Sequence, residues 1–401
     1  MVFSPPQLRT DIDEILPGVI ADRRHFHAHP ELGHQEFETA KFIAERLQAL
    51  GVEDLRTGVA KTGVTALIHG AALANGPLKT ALLRADMDAL PIDEENQTDY
   101  RSQTAGVMHA CGHDGHTAML LGIARLLIEH RDKFAGTVKL LFQPCEERPP
   151  GGAKPMIDEG VLEDPHVNAV FGMHLSQDTP LGKIELRSGP AMASSDSFRI
   201  TIKGKGGHGA QPETAIDPIV IGAQTVGALQ TIVSREIDPN RPAVVTVGAF
   251  RAGEANNVIP DTAALRGTVR SFQPDVRQQL AERVEALVRG IARAMRAEVD
   301  FDYRFGYPVT INDPAMTELV RTVAIETVGT ENVLEHEPMM GAEDFSFFLQ
   351  ERPGCFFFVG SNNEDKGLVW SHHHPKFDFD EEALAIGMEI MIRSVLRFLG
   401  D

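Results

Sequence analysis

Cysteine is scarce in this 401-residue chain. Only Cys111, Cys145 and Cys355 occur, and no two stand in a CxxC spacing. An odd, scattered trio excludes a disulfide framework and fits a reducing compartment. No apolar run is long enough to span a bilayer. The opening stretch MVFSPPQLRTDIDE has neither the basic start nor the apolar centre of a secretory signal, so a cytoplasmic protein is expected. Basic residues are outnumbered, 38 against 57 acidic ones, for a formal net charge of −19. That balance argues against nucleic acid or an anionic membrane surface as a partner and says little about the substrate, because a local basic pocket can sit on an acidic protein.

What the chain does contain is hydrophobic pattern of two kinds. Its length suggests two or three domains. The first part alternates helix and strand signals. Residues 35–50 carry Phe37, Ala40, Ile43, Leu47 and Leu50 at helical spacing, with Gly51 as a stop. Residues 64–68, 80–84, 137–142 and 167–173 read as strands, and 116–130 as an apolar helix. Residues 71–77, rich in Ala, Gly and Pro, read as a loop. This predicts an α/β mixed sheet with helices on both faces.

The middle changes character. Strands are expected at 197–203, 243–250, 263–271 and 299–304, and helices at 218–235 and 275–296. The second helix carries an apolar stripe of Val276, Leu280, Val284, Leu287, Val288 and Ile291. The order βαββαβ is that of a ferredoxin-like unit, complete in itself and therefore read as an insertion at 188–302. A helix at 314–327, a strand at 355–359 and a helix at 381–398 would then finish the first domain, composed of 1–187 and 303–401.

Potential metal ligands follow the strand patterns. Residues 80–84 run into Asp86 and Asp88, residues 137–142 into Glu146 and Glu147, and the strand at 167–173 ends at His174. In open α/β sheets, ligands bind beyond the carboxyl ends of the strands, so distant residues converge there. The segment HACGHDGH adds His109, Cys111, His113 and His116. Thiolate, imidazole and carboxylate together favour Zn²⁺ or a similar first-row ion. In the bland alternative Cys111 is a small buried apolar residue and the histidines cap a helix. The density of ligand types beside an acidic residue disfavours it. A third possibility, Cys111 as a thiolate nucleophile with a histidine base, leaves the acidic pairs and His174 without a purpose.

Adjacent Glu146 and Glu147 let one carboxylate bind metal and the other act as a base. His372, His373 and His374 precede Pro375, and the residues alone do not choose a ligand among them. The run GKGGHGAQP (204–212) lacks the GK[ST] ending of a P-loop and reads as a turn carrying His208.

Taken together, these segments resemble the amidohydrolase branch of the M20 metallopeptidase family, which includes aminoacylases, hippurate hydrolases and indole-acetyl-amino-acid hydrolases. The matching stretches are RRHFHAHPELGHQE (23–36), LLRADMDALP (82–91), MHACGHDGHTAMLLG (108–122), FQPCEE (142–147), GMHL (172–175), GKGGHGAQP (204–212), NVIPD (257–261), GAEDFS (341–346) and HHPKFDFDE (373–381). The resemblance implies a catalytic domain with two divalent metal ions, zinc or manganese first, cobalt or nickel as alternatives. Its ligands would be Cys111, His113, Glu147, His174 and His373, with Cys111 bridging, and Glu146 would be the general base. The inserted unit would be a lid and dimerisation domain in a homodimer or higher homo-oligomer. From it His208 would act in the partner subunit's site, and Asn257 and Arg270 would hold a substrate carboxylate. The implied reaction is hydrolysis of N-acyl amino acids, acetyl or benzoyl, to a carboxylic acid and a free amino acid. Two alternatives remain: a dipeptidase or carboxypeptidase on the same scaffold, and a catalytically silent binding protein. Two departures touch the pattern. Arg148-Pro149-Pro150 follows the glutamate pair where relatives carry glycines, and the histidine triple blurs the last ligand, for which the family's spacing selects His373.

Overall fold

Helix α1 (Pro5–Ala28) opens the computed structural model, which describes residues 5–74 and 76–400. The first four residues of the N-terminal stretch, Asn75 in the 71–77 loop and Asp401 lie outside the described residues. Nothing in the hydrophobic pattern singled α1 out, since Pro17 and a mixed-charge surface interrupt it, yet Leu8, Ile12, Ile15 and Val19 are buried along one face. Helix α2 (Phe37–Leu50) begins two residues later than its pattern suggests, because Glu36 has a non-helical backbone and turns its carboxylate elsewhere. Phe37 is exposed rather than part of the buried stripe; as the first helical residue it points off the core, with Lys61 over its ring. Gly51 ends the helix in the left-handed conformation, φ 74°, its N–H returning to the carbonyls of Leu47 and Gln48.

Strands β1 (Glu53–Val59), β2 (Gly63–His69) and β3 (Thr80–Asp86) follow, then α3 (His113–Glu129), β4 (Thr137–Gln143), β5 (Ala169–Pro180) and β6 (Ile184–Leu186). The chain then forms a second unit from β7 (Ser195–Lys203), α4 (Pro218–Thr231), β8 (Ala243–Arg251), β9 (Thr262–Ser271), α5 (Pro274–Ala294) and β10 (Glu298–Tyr307). It returns with α6 (Pro314–Val328), β11 (Val333–Glu335), β12 (Gly354–Asn362) and α7 (Glu382–Gly400). One compact unit comprises residues 1–189, 311–337 and 344–401; the other comprises 190–310 and 338–343.

The first unit is built on an eight-stranded mixed sheet in the order β1-β2-β4-β3-β5-β12-β6-β11. Its centre is parallel, β4-β3-β5-β12. The β1-β2, β2-β4 and β12-β6 pairs are antiparallel. Every residue of β3 and β4 is buried, as expected where both faces of a parallel sheet are covered. A polar side chain there needs a partner: the Lys139 ammonium donates to the carbonyls of Val161 and Asp164. Leu120, Ile123, Leu127, Phe171, Phe357, Phe377, Met388 and Ile392 belong to one continuous core.

The second unit is a four-stranded antiparallel sheet, order β8-β9-β7-β10, with α4 and α5 packed on it. Val276, Leu280, Val284 and Val288 of α5 are buried, and Leu287 and Ile291 flank them half-buried. The helix expected at 218–235 narrows to α4, and Ile232–Glu236 continue it as a wider π-type turn. Both N-caps with an aspartate followed by proline, Asp217 on α4 and Asp313 on α6, accept backbone N–H groups of the first turn.

Candidate metal centre

Register lines up the strands that carry the site. Asp86 pairs with Gln143 across β3 and β4. Arg84 pairs with Gly172 across β3 and β5, which sets Asp86 level with His174 two residues on. His174 itself is not at the end of its strand, as its sequence pattern suggests; β5 runs on to Pro180, with Leu175, Gln177 and Thr179 buried at alternate positions.

The HACGHDGH segment forms the first wall. Gly112 takes φ 90°, a left-handed turn that suits glycine, and α3 starts at His113. The Cys111 sulfur lies 3.5 Å from His174 Nε2. His113 Nδ1 lies 2.9 Å from the Asp88 carbonyl, an acceptor that fixes the proton on that nitrogen and turns Nε2 inward. His113 Nε2 then faces Asp86 Oδ2 at 3.7 Å and Glu147 Oε1 at 3.9 Å. It is buried and has no hydrogen-bond partner among the described residues. His116 is different. Its Nδ1 lies 2.6 Å from Asp86 and its Nε2 accepts the Leu175 N–H, so both nitrogens are engaged. His109 is also buried, with neither nitrogen bonded among the described residues, and burial lowers its pKa to about 4.

The glutamate pair forms the second wall. Cys145 holds φ 52°, a conformation costing an L-residue about 1–2 kcal/mol. Three anchors oppose that strain. Asp88 accepts the N–H of Glu146 through Oδ1 at 3.0 Å and of Glu147 through Oδ2 at 3.1 Å. Glu36 accepts the Cys145 N–H at 2.9 Å and the Thr62 hydroxyl at 2.7 Å. Asp344 accepts the N–H groups of Gly152 and Ala153, closing the loop that contains Arg148-Pro149-Pro150. Arg84 bridges Asp86 and Asp344 from below.

The histidine triple supplies the third wall. His372 accepts the Gln177 N–H on Nε2 and packs on Phe377. His374 stacks on Trp370, ring centroids 4.3 Å apart. His373 holds φ 66°, donates its N–H to the Ala110 carbonyl, and places Nε2 3.2 Å from Glu147 Oε1.

Ligand-type atoms therefore gather in overlapping sets: Cys111, His113 and His174; Cys111, Glu147 and His373; His113, Glu146 and Glu147. Their electrostatics suit a cation. Burial pushes the Cys111 thiol well up, and Glu147, Glu146 and Asp86 add to that. Burial would lower His113, but Asp86, Asp88 and Glu147 hold its pKa at about 10. Burial and the neighbouring His116 and His372 push His174 well down, leaving it neutral. The hydrogen bond to Glu147 raises His373. A positive ion among these groups would reverse the penalty on the thiolate and replace the proton of His113. The donor set and the partnerless His113 nitrogen fit such an ion.

In the second unit, His208 is exposed and pairs in register with Val258, next to Asn257; Gly209 donates to the Asn257 carbonyl. Arg270 on β9 is half-buried, its guanidinium donating to the Thr268 hydroxyl and the Val269 carbonyl.

The model of peptidase family M20/M25/M40 matches residues 82–397. The chain belongs to this family. This M20/M25/M40 member is 43% identical to a thermostable carboxypeptidase 2 of Saccharolobus solfataricus, over 95% of each chain. It is 42% identical to an N-acetyl-L-cysteine deacetylase of Bacillus subtilis, over 95% of this chain and 88% of the relative. The crystal structure of the Bacillus subtilis YXEP protein, described as a dinuclear metal binding peptidase from the M20 family, superposes with a TM-score of 0.83. The two are 37% identical, over 96% of this chain and 99% of that one.

Three positions of this M20/M25/M40 member escaped sequence reasoning as parts of the site: Glu36, the backbone-clamping role of Asp88, and Asp344. All three act through backbone N–H groups of the 145–153 turn. A carboxylate far from a turn in sequence carries no local pattern that says which N–H it will accept. The signal available was their presence in the stretches HPELGHQE, ADMDALP and GAEDFS.

Proposed function

We propose that the protein is a metal-dependent amidohydrolase that cleaves N-acyl amino acids to a carboxylic acid and a free amino acid. The observation that carries this is the convergence of Cys111, His113, Glu147, His174 and His373 beside buried Glu146. These five would hold two divalent ions, zinc or manganese first, cobalt or nickel as alternatives, with Cys111 among the ligands of both. The dinuclear YXEP relative supports the count. When bound, the ions supply Lewis acidity at the scissile carbonyl and acidify the attacking water.

Glu146 takes the proton from that water and delivers it to the leaving amine. Asp88 keeps Glu146 and Glu147 in register for this by accepting both their N–H groups. The partner subunit's His208 would donate to the developing oxyanion, and Asn257 and Arg270 would engage the substrate carboxylate. The second unit thereby serves as lid and dimerisation domain. Support for assembly through it is its open sheet, whose edge strands β8 and β10 are each paired on one side only among the described residues. No helix among the described residues is long and apolar enough to cross a membrane, and we place the protein in the cytoplasm.

The deacetylase relative favours N-acyl substrates. The carboxypeptidase relative favours a second reading, cleavage of unacylated peptides. Assay of N-acetyl, N-benzoyl and free dipeptide substrates with zinc- or manganese-loaded enzyme separates them. Glu146→Gln is expected to keep its metal and lose about 10²–10⁴-fold in turnover; near-wild-type turnover would refute the base assignment.

A further inference from the structure

Next in sequence to His113 and five residues beyond His373 lie members of a buried ion cluster that contains none of the five proposed ligands. Its centre is Arg23 of α1, whose side chain is wholly buried. Nε donates to Asp114 Oδ2 at 2.8 Å, Nη2 to Asp378 Oδ1 at 2.7 Å, and Nη1 to Glu381 Oε1 at 3.2 Å. Asp114 directly follows His113. Asp378 stands five residues after His373, on a segment folded back on itself by the Phe377 N–H to the His374 carbonyl. One guanidinium therefore fastens the residue next to one proposed ligand to the strap that carries another.

The surroundings hold both ends in place. His27 lies 2.8 Å from the same Asp114 oxygen and 3.2 Å from Glu94. Tyr100 donates to the second oxygen of Asp378 at 2.7 Å. The faces of Tyr100 and Phe379 cover the guanidinium, 4.9 and 4.3 Å from ring centroid to the central carbon. A lysine could match the charge but not three separated donors in one plane.

We infer that Arg23 is a positioning residue of the metal centre, setting the spacing between the His113 and His373 walls. The inference rests on the metal-site reading above. Partners that orient ligands typically change metal affinity about 10–100-fold when lost. A bystander ion cluster would change stability with or without metal by the same amount and leave affinity alone.

The test is calorimetric titration of zinc chloride into chelator-stripped protein, with melting temperature recorded before and after loading. Wild type should take up two ions. Arg23→Lys should bind the more weakly held ion about 10–100-fold less tightly and show a smaller zinc-induced rise in melting temperature. Its kcat should fall more than its KM changes. Tyr100→Phe, which removes one hydrogen bond and no charge, should shift zinc affinity in the same direction by less. Should Arg23→Lys fail to fold, Tyr100→Phe and Asp378→Asn decide the matter alone. Folded variants with wild-type zinc affinity and an unchanged zinc-induced shift would overturn the inference. A wild-type protein that takes up no zinc, manganese, cobalt or nickel would instead overturn the metal-site reading on which it stands.

Discussion

The His113 wall and the His373 wall meet at the same Glu147 oxygen but are built in opposite ways. His113 is buried at a helix start, with its ring oriented by the Asp88 carbonyl and its neighbours held by Arg23 and Asp86. His373 sits on a loop, its side chain 54% exposed, in a left-handed backbone conformation secured by one N–H to Ala110. On the proposed metal-site reading the first wall is pre-organised and the second would close on an ion, since an exposed side chain surrenders rotamer freedom only on binding.

The sharpest way to break the comparison is to remove each histidine. His113→Ala should abolish activity and tight metal binding together, because it removes a buried imidazole and one of the cationic groups that balance Asp86, Asp88 and Glu147; metal content and melting temperature check this. His373→Ala should be milder. One ion should remain, and added zinc or imidazole should restore part of the activity, whereas the same additions should not rescue His113→Ala. Equal losses and equal rescue would erase the distinction.

Protonation offers a gentler probe. His113, held at about 10, keeps a proton that an ion must displace, and the Cys111 thiol lies well above its usual range. Metal binding therefore releases protons, and apparent affinity should rise with pH, by up to about tenfold per unit for each proton released. The sign follows from the direction of both shifts: lowering pH favours the metal-free, protonated site. Titration in buffers of different ionisation enthalpy would count the protons, and a pH-independent affinity would contradict the picture. His374→Ala should matter least. Its ring stacks on Trp370 and its Nδ1 accepts the Lys376 N–H, so activity is expected to stay within about twofold, inside the range typical of surface changes.

What the sequence could convey differs between the walls for a physical reason. Cys111 and His113 lie within one helix start, so their density is visible in a six-residue window. His373 is one of three adjacent histidines, and only the fold separates them: His372 turns to Gln177, His374 to Trp370, and His373 to Glu147. The strand and helix order of both units is legible because apolar period follows backbone geometry. Helix α1 is less so, because Pro17 and its charged outer face dilute the stripe of Leu8, Ile12, Ile15 and Val19. The partners of Arg23 are least legible of all, since Asp114, Asp378 and Glu381 come from segments 91 to 358 positions away.

The discontinuous first unit carries a consequence for how the protein is made. Synthesis proceeds from the N-terminus, and domains fold as they emerge. Cys111 and His113 leave the ribosome about 260 residues before His373, with the whole second unit produced in between. On the proposed metal-site reading, a nascent chain could bury its first wall early but could not bring His373 to it until after the second unit is made. A product broken off before His373 would then carry Cys111 and His113 without the strap that on this reading completes the site.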